Sequence, residues 1–280
     1  MSGQPSDRSG PQTVLCLHAH PDDEAMLTGE LLAKADASGL RTVVVYGTRG
    51  EAGETEHDLG DETLGQRRAR EALAACEQLG VDRVEFLDHV DSGMAGTDTN
   101  ADPAAFSNAD PAEVAETLAG LLADEELLAV VGYDANGTYG HPDHVQVHHV
   151  AAALADRLGV PWLLDATYNR EDLATLADSD GTLDPGFAAA EADLTHFVQG
   201  EDWFKAKMEA VKCHGSQAPR TEASKRRRRR GIDGWRRRFG TEWFIARSPI
   251  GSTDLGSLTE VLEPKATWPG PLVREGSPPG

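Results

Sequence analysis

The stretch Thr13-Val14-Leu15-Cys16-Leu17-His18-Ala19-His20-Pro21-Asp22-Asp23-Glu24 decides the reading of the fold. Its first part, Thr13 to His18, is an apolar run of strand length, and Glu24 to Ala37 carries apolar residues at helical spacing. A cluster of histidine and acid therefore stands where a buried strand turns into a helix. In an open α/β sheet that position, at the carboxyl end of a strand, is where ligands bind. Imidazole with carboxylate is a mixed donor set that suits zinc, which keeps three protein ligands and one open position when it is catalytic. Acids alone could be explained by the positive end of the following helix. Two histidines and a proline ahead of them could not.

Working outward, strand and helix patterns alternate. Arg41 to Tyr46 reads as a second strand, apolar throughout as in a sheet covered on both faces. Gly47 to Asp61 is a glycine- and acid-rich loop, and Leu64 to Leu79 is a helix stopped by Gly80. Val84 to Leu87 is a third strand that empties into the loop His89 to Gly96. Asp110-Pro111 starts a helix to about Ala123, because proline at the first helical position after an acidic cap is a start signal. Leu127 to Gly132 is a strand, Tyr133 to His141 a loop, Asp143 to Leu158 a helix, and Trp162 to Ala166 a further strand. This order predicts a Rossmann-like α/β fold: a parallel sheet with helices on both faces and the active site at the carboxyl ends of the strands. After Tyr168 the pattern weakens. Asp172 to Pro185 reads as surface loop, Trp203 to His214 as a helix and Trp243 to Ala246 as a late strand.

The expected domain organisation is a disordered lead over residues 1–11, one domain over 12–263 and a Pro- and Gly-rich tail over 264–280. A formal net charge of -21 argues against a general nucleic-acid or membrane-surface binder. No apolar run approaches membrane-spanning length, no signal-peptide core is present near Met1, and three scattered cysteines suggest reduced thiols, so a soluble cytoplasmic protein is expected. One segment runs against the acidic balance: residues 225–238 hold nine basic residues and a single acid, Asp233. Its plain reading is a solvated loop. The sharper one is a dock for an acidic partner or nucleic acid, or a clamp for an anionic substrate.

Tyr139-Gly140-His141-Pro142-Asp143-His144 echoes the first cluster: each has His-Pro-Asp followed by another candidate ligand three residues after the histidine. At the ends of neighbouring parallel strands the two could supply His20, Asp23 and His144 to one tetrahedral site, with water in the fourth position. Asp22 beside Asp23 permits a division of labour, one carboxylate on the metal and the other free as a base. His144 and His148 are one helical turn apart, but Val145-Gln146-Val147 lacks the glutamate of H-E-x-x-H. Neither G-x-S-x-G, nor G-x-G-x-x-G, nor a P-loop is present. Cys213 reads as an ordinary helix thiol.

The run H-A-H-P-D-D-E, the pair R-x-x-E at Arg68 to Glu71, D-S-G-M at Asp91 to Met94 and G-x-Y-G-H-P-D-H at Gly137 to His144 together resemble the PIG-L/LmbE-like family of zinc-dependent deacetylases, nearest the actinobacterial deacetylases and amidases of mycothiol metabolism. The likeness covers about Val14 to Val150 and returns at Lys207 to Gln217, which resembles the family's K-x-x-A-x-x-x-H-x-x-Q helix. It implies that His20, Asp23 and His144 bind zinc, with iron(II) or another divalent ion as an alternative occupant in the cell. It also implies that Asp22 is the general base on the attacking water, and that His141 and Tyr139 face the oxygen of the tetrahedral intermediate, His141 also being a candidate to protonate the leaving amine. Arg68, Glu51 and Asp91 would bind substrate, although Arg67-Arg68-Ala69-Arg70 could equally be a solvated helix face. The expected activity is removal of acetate from an N-acetylglucosamine-type amino sugar conjugate. The alternatives are an amidase acting on a thiol conjugate or a glycosylated natural-product precursor, and a metal-binding protein without turnover. Retention of Asp22 and His141 argues against the last. A homo-oligomer is left open.

Overall fold

A computed structural model of the chain describes residues 11–176, 185–218, 236 and 239–272. Its centre is β1 (Thr13–His18), every residue of which is buried. β2 (Arg41–Tyr46) and β3 (Arg83–Phe86) extend the sheet on one side, β4 (Leu127–Tyr133) and β5 (Trp162–Thr167) on the other, and all five run parallel. Valine and leucine fill β1, β2 and β4 because helices cover both faces, so neither face needs polar side chains. The expected doubly covered parallel sheet is thus present.

The sheet then departs from pure parallel order. β7 (Glu242–Arg247), the expected late strand, runs antiparallel to β5, and β6 (His196–Val198) and β8 (Glu263–Pro264) complete the order β3-β2-β1-β4-β5-β7-β6-β8. β6 and β8 escape a periodicity reading because three and two residues are too few to show alternation.

The segment expected as one helix is two, α1 (Asp23–Leu27) and α2 (Gly29–Ala37). Thr28 separates them: its hydroxyl donates to the Glu24 carbonyl and lies 3.0 Å from His18 Nε2, and its backbone leaves helical geometry. α3 (Leu64–Gln78) begins with a capping box between Thr63 and Gln66. α4 (Pro111–Leu121) begins on Asp110, which accepts from the Ala112 N–H. α5 (Gly137–Gly140) is a single distorted turn, and α6 (Pro142–Leu158) ends on left-handed Gly159. α7 (Arg170–Leu176) takes up the first part of the stretch expected to be loop from Asp172 to Pro185, and α8 (Glu201–Cys213) is the expected late helix. Right-handed crossovers put α2 and α3, with α8 against them, on one face, and α4 and α6 on the other.

α8 is fastened to the sheet by a buried ion pair. Lys207, 1% exposed, donates to Glu242 at the start of β7 at 2.9 Å. Both Glu242 oxygens in turn accept the N–H groups of Glu30 and Leu31, capping α2 from 211 and 212 residues away. The lead over residues 1–10 and the basic segment, apart from Arg236, lie outside the described residues. Arg236 pairs with Glu201 of α8 at 2.5 Å and lies over the Phe204 ring. Among the described residues no helix is long and apolar enough to cross a membrane.

Candidate active site

The loop that leaves β1 is built around an unusual residue. Asp22 has φ +112° and ψ −24°, a backbone region that residues with a Cβ seldom enter. This lets the chain turn at Pro21 and present Asp23 as the first residue of α1. There its Oδ2 accepts the His20 N–H at 2.9 Å. His18 points away from that loop into the body: its nitrogens meet the Tyr133 hydroxyl at 2.9 Å and Thr28 at 3.0 Å. Of the two histidines in H-A-H, only His20 therefore faces the cluster.

β4 is the neighbour of β1, and the loop that leaves it meets the first at the same sheet edge. Gly137 takes φ +61°, and a Cβ there would stand 2.7 Å from the Val145 nitrogen, so only glycine allows this turn to close on α6. His141 caps α6, its Nδ1 accepting from the Asp143 N–H at 3.2 Å, and His144 lies one turn inside with no exposed surface.

His20, Asp23 and His144 converge. Asp23 Oδ2 is 3.3 Å from His144 Nε2 and 3.7 Å from His20 Nδ1, and the three donors lie within 4.8 Å of one another. Ligands about 2.0–2.1 Å from a tetrahedral zinc stand about 3.3 Å apart. The donor spacing and chemistry therefore fit such an ion after small adjustments. Thr138 Oγ1 meets His144 Nδ1 at 3.2 Å and leaves Nε2 for the site, as an orienting partner of a ligating histidine does.

The other edge of the His20 ring faces a second cluster. His20 Nε2 is 3.2 Å from Asp143 Oδ2 and 3.4 Å from Asp91 Oδ1. His141 stacks edge-on at 4.5 Å between centroids. These four residues are also close enough to hold an ion. Hydrogen bonding accounts for them more simply: Asp143 already accepts from Ser92 N–H and Ser107 N–H, and Asp91 from Ala52 N–H and Gly93 N–H. A carboxylate behind a ligating imidazole fixes its orientation and raises its basicity.

The charges follow from this packing. Burial opposes a charged His20, but Asp143 and Asp91 outweigh it and push the ring up to about 10. Asp23 is held below the usual carboxylate range, since His144 and His20 overcome the effect of burial. Burial lifts Asp22, an effect that Arg68 only partly offsets and Asp23 reinforces. Burial, helped by His20 and His144, holds His141 at about 4. His141 is therefore neutral near pH 7, and since Nδ1 accepts, its proton resides on Nε2. Burial also pushes the Tyr139 hydroxyl well above its ordinary range, so it stays a donor; it stands 3.2 Å from His144 Nε2.

A family model described as GlcNAc-PI de-N-acetylase matches residues 15–155, a stretch that includes both histidine clusters. The chain belongs to the PIG-L family. A 1D-myo-inositol 2-acetamido-2-deoxy-alpha-D-glucopyranoside deacetylase of Nocardiopsis dassonvillei is 35% identical over 235 residues, covering 72% of this chain and 83% of the relative. One from Thermobispora bispora is 33% identical and covers 93% and 90%. Among solved structures, the N,N'-diacetylchitobiose deacetylase of Pyrococcus horikoshii superimposes with a TM-score of 0.56 over 85% of each chain, at 19% identity. That last likeness concerns the fold alone.

The resemblance to the PIG-L family also implies that Arg68, Glu51 and Asp91 bind substrate. Arg68 is 5% exposed, which removes the solvated helix-face reading. Its guanidinium donates to the carbonyls of Pro21 at 2.5 Å and Gly50 at 2.9 Å and pairs with Asp22 at 3.3 Å. It thereby ties the loops after β1 and β2 together, while its buried Nε has no partner. Glu51 is exposed and accepts the Asp91 N–H at 2.9 Å, and Asp91 is buried behind His20. Sequence reasoning assigned no role to Asp143, Thr138, Tyr133 or Glu24. Asp143 was available in the quoted H-P-D-H, and its only signal was an acid between two histidines. Glu71, the acid of R-x-x-E, accepts from Ser216 N–H at 2.8 Å and Ser216 Oγ at 2.6 Å, which pins the end of α8 to α3.

Proposed function

We propose that this PIG-L protein is a metal-dependent N-deacetylase that releases acetate and a free amine from an N-acetylglucosamine-type amino sugar conjugate. The observation that carries this reading is an unligated, partly exposed aspartate next to a buried His-Asp-His donor set, with the His141 donor on the facing loop. The names of the actinobacterial relatives support the choice of substrate class. Zinc suits the donors His20, Asp23 and His144, and iron(II) could take its place. A divalent ion held there supplies a Lewis acid that acidifies water and polarises the amide carbonyl.

The protein's own groups do the rest. Asp22 removes a proton from the attacking water and can pass it to the departing amine. His141, neutral with its proton on Nε2, donates to the developing oxyanion, and Tyr139 contributes its hydroxyl. Arg68 holds the two loops of the mouth in place, Glu51 offers acceptors to sugar hydroxyls, and Asp91 acts from behind His20.

The test measures amine release from N-acetylglucosamine and from its inositol conjugate, before and after the metal is stripped with a chelator and checked by elemental analysis. Release that stops on stripping and returns with zinc or iron(II) supports the reading. Undiminished release from verified metal-depleted protein rejects it.

A further inference from the structure

The positive φ of Asp22 has to be held by contacts, because even for an aspartate, which enters that region more readily than most residues with a Cβ, it costs free energy. Its N–H donates to Glu24 Oε2 at 2.9 Å, a bond that is possible only while the Glu24 carboxylate folds back over the loop. Glu24 has no exposed surface, and its other oxygen accepts from His214 Nε2 at 2.5 Å. His214 is 4% exposed and stands where α8 ends, 190 residues further along the chain. Its Nδ1 is buried without a hydrogen-bond partner, so the ring is committed to Glu24 through Nε2 alone.

The turn that carries His214 is itself anchored. Ser216 is held by Glu71 of α3, and its carbonyl accepts from Thr55 in the loop after β2 at 2.6 Å. A buried ion pair is seldom kept for stability, since apolar packing of similar volume often does as well, but it can impose one conformation. We infer that His214 is a positioning residue for the base: by clamping Glu24 it fixes the backbone of Asp22 and so the place of the Asp22 carboxylate. This rests on the reading of Asp22 as the base given above. His214 makes no contact with the proposed metal donors. It acts through Glu24, a residue the histidine clusters do not use.

The experiment is a double-mutant cycle on metal-loaded, full-length protein with N-acetylglucosamine as probe. His214→Leu is expected to lower kcat at least tenfold with KM within twofold and metal content unchanged. The same substitution in the Asp22→Asn background is expected to change the residual rate by less than twofold, because the group it positions is already gone. His214→Gln, whose terminal amide can still donate to Glu24, is expected to recover most of the loss. Equal losses in both backgrounds, or a His214→Gln protein as slow as His214→Leu, would overturn the inference. A crystal structure of His214→Leu supplies a readout free of turnover: Asp22 should leave the positive-φ region, and its retention there would also overturn the clamp. If His214→Leu does not fold, Glu24→Asp shortens the carboxylate away from both partners and should reproduce the loss; full activity would be decisive against the inference. An Asp22→Asn protein as fast as the parent would instead sink the base assignment, and the backbone readout would still judge the clamp.

Discussion

The two edges of the His20 ring differ in what they meet. At Nδ1 stand Asp23 and His144, a loose set with donor separations of 3.3 and 3.7 Å and room for an ion. At Nε2 stand Asp143 and Asp91, whose oxygens are already taken by four backbone N–H groups from the loops after β2 and β3 and the segment before α4. The same two residue types, histidine and aspartate, thus make a candidate ligand set on one edge and an orienting set on the other. The deciding quantity is how many lone pairs the backbone has left free. A cation is best held by groups with acceptor capacity to spare, and Asp23, with one backbone donor against two each on Asp143 and Asp91, has the more of it.

The contrast can be broken most directly at His144. His144→Ala should remove nearly all bound metal and with it all measurable turnover, read by elemental analysis of dialysed protein; a fully loaded variant would expel His144 from the set. Asp22→Asn on the same edge should keep the metal and lose about 10²–10⁴-fold in kcat, the range for loss of a general base. Turnover equal to the parent would end its role. The Nε2 edge should respond more mildly. Asp143→Asn is expected to weaken metal affinity by about 10–100-fold without abolishing it, as loss of an orienting carboxylate does. Unchanged affinity, or a loss as complete as that of His144→Ala, would erase the distinction between the edges. Arg68→Ala should lower kcat/KM by roughly tenfold or more, because it frees Pro21, Gly50 and Asp22 together.

The smallest expected effect concerns stability and pH. Burial works against charge on both members of the Glu24 and His214 pair, but their mutual attraction wins, so Glu24 is depressed and His214 raised. A depressed acid stabilises above its unfolded pKa and loses this as pH falls. A raised histidine stabilises below its unfolded pKa and loses this as pH rises through its folded value. The advantage of the parent over His214→Gln in chemical denaturation should therefore be greatest between about pH 4.3 and 6.5, the unfolded values, and shrink on either side. A charged hydrogen bond of this kind contributes about 1.5–3 kcal/mol. A pH-independent difference would mean that the pair is not ionised.

Much of the site could be read from the residues because its signals are local. Asp23 stands three positions after His20 and His144 three after His141, and each cluster follows an apolar run that has to be a buried strand. Alternation of strand and helix then places both clusters at one sheet edge, with little dependence on detail. The same local logic yields β1, β2 and α3 to within a residue or so. It fails at Thr28, where one hydroxyl engaged by His18 breaks a helix that the apolar spacing alone would continue.

By itself, then, the sequence determined the parallel half of the sheet, the identity of the candidate ligands and the family, because hydrophobic period and motif spacing are properties of neighbours along the chain. Only the tertiary structure decided which nitrogen of His20 faces which acids, that Arg68 is buried rather than solvated, that Glu242 caps α2 and that His214 reaches Glu24. Those outcomes join residues up to 212 positions apart, and no periodicity encodes them. They are chosen by the requirement that each buried charge and backbone donor find a partner once the elements pack.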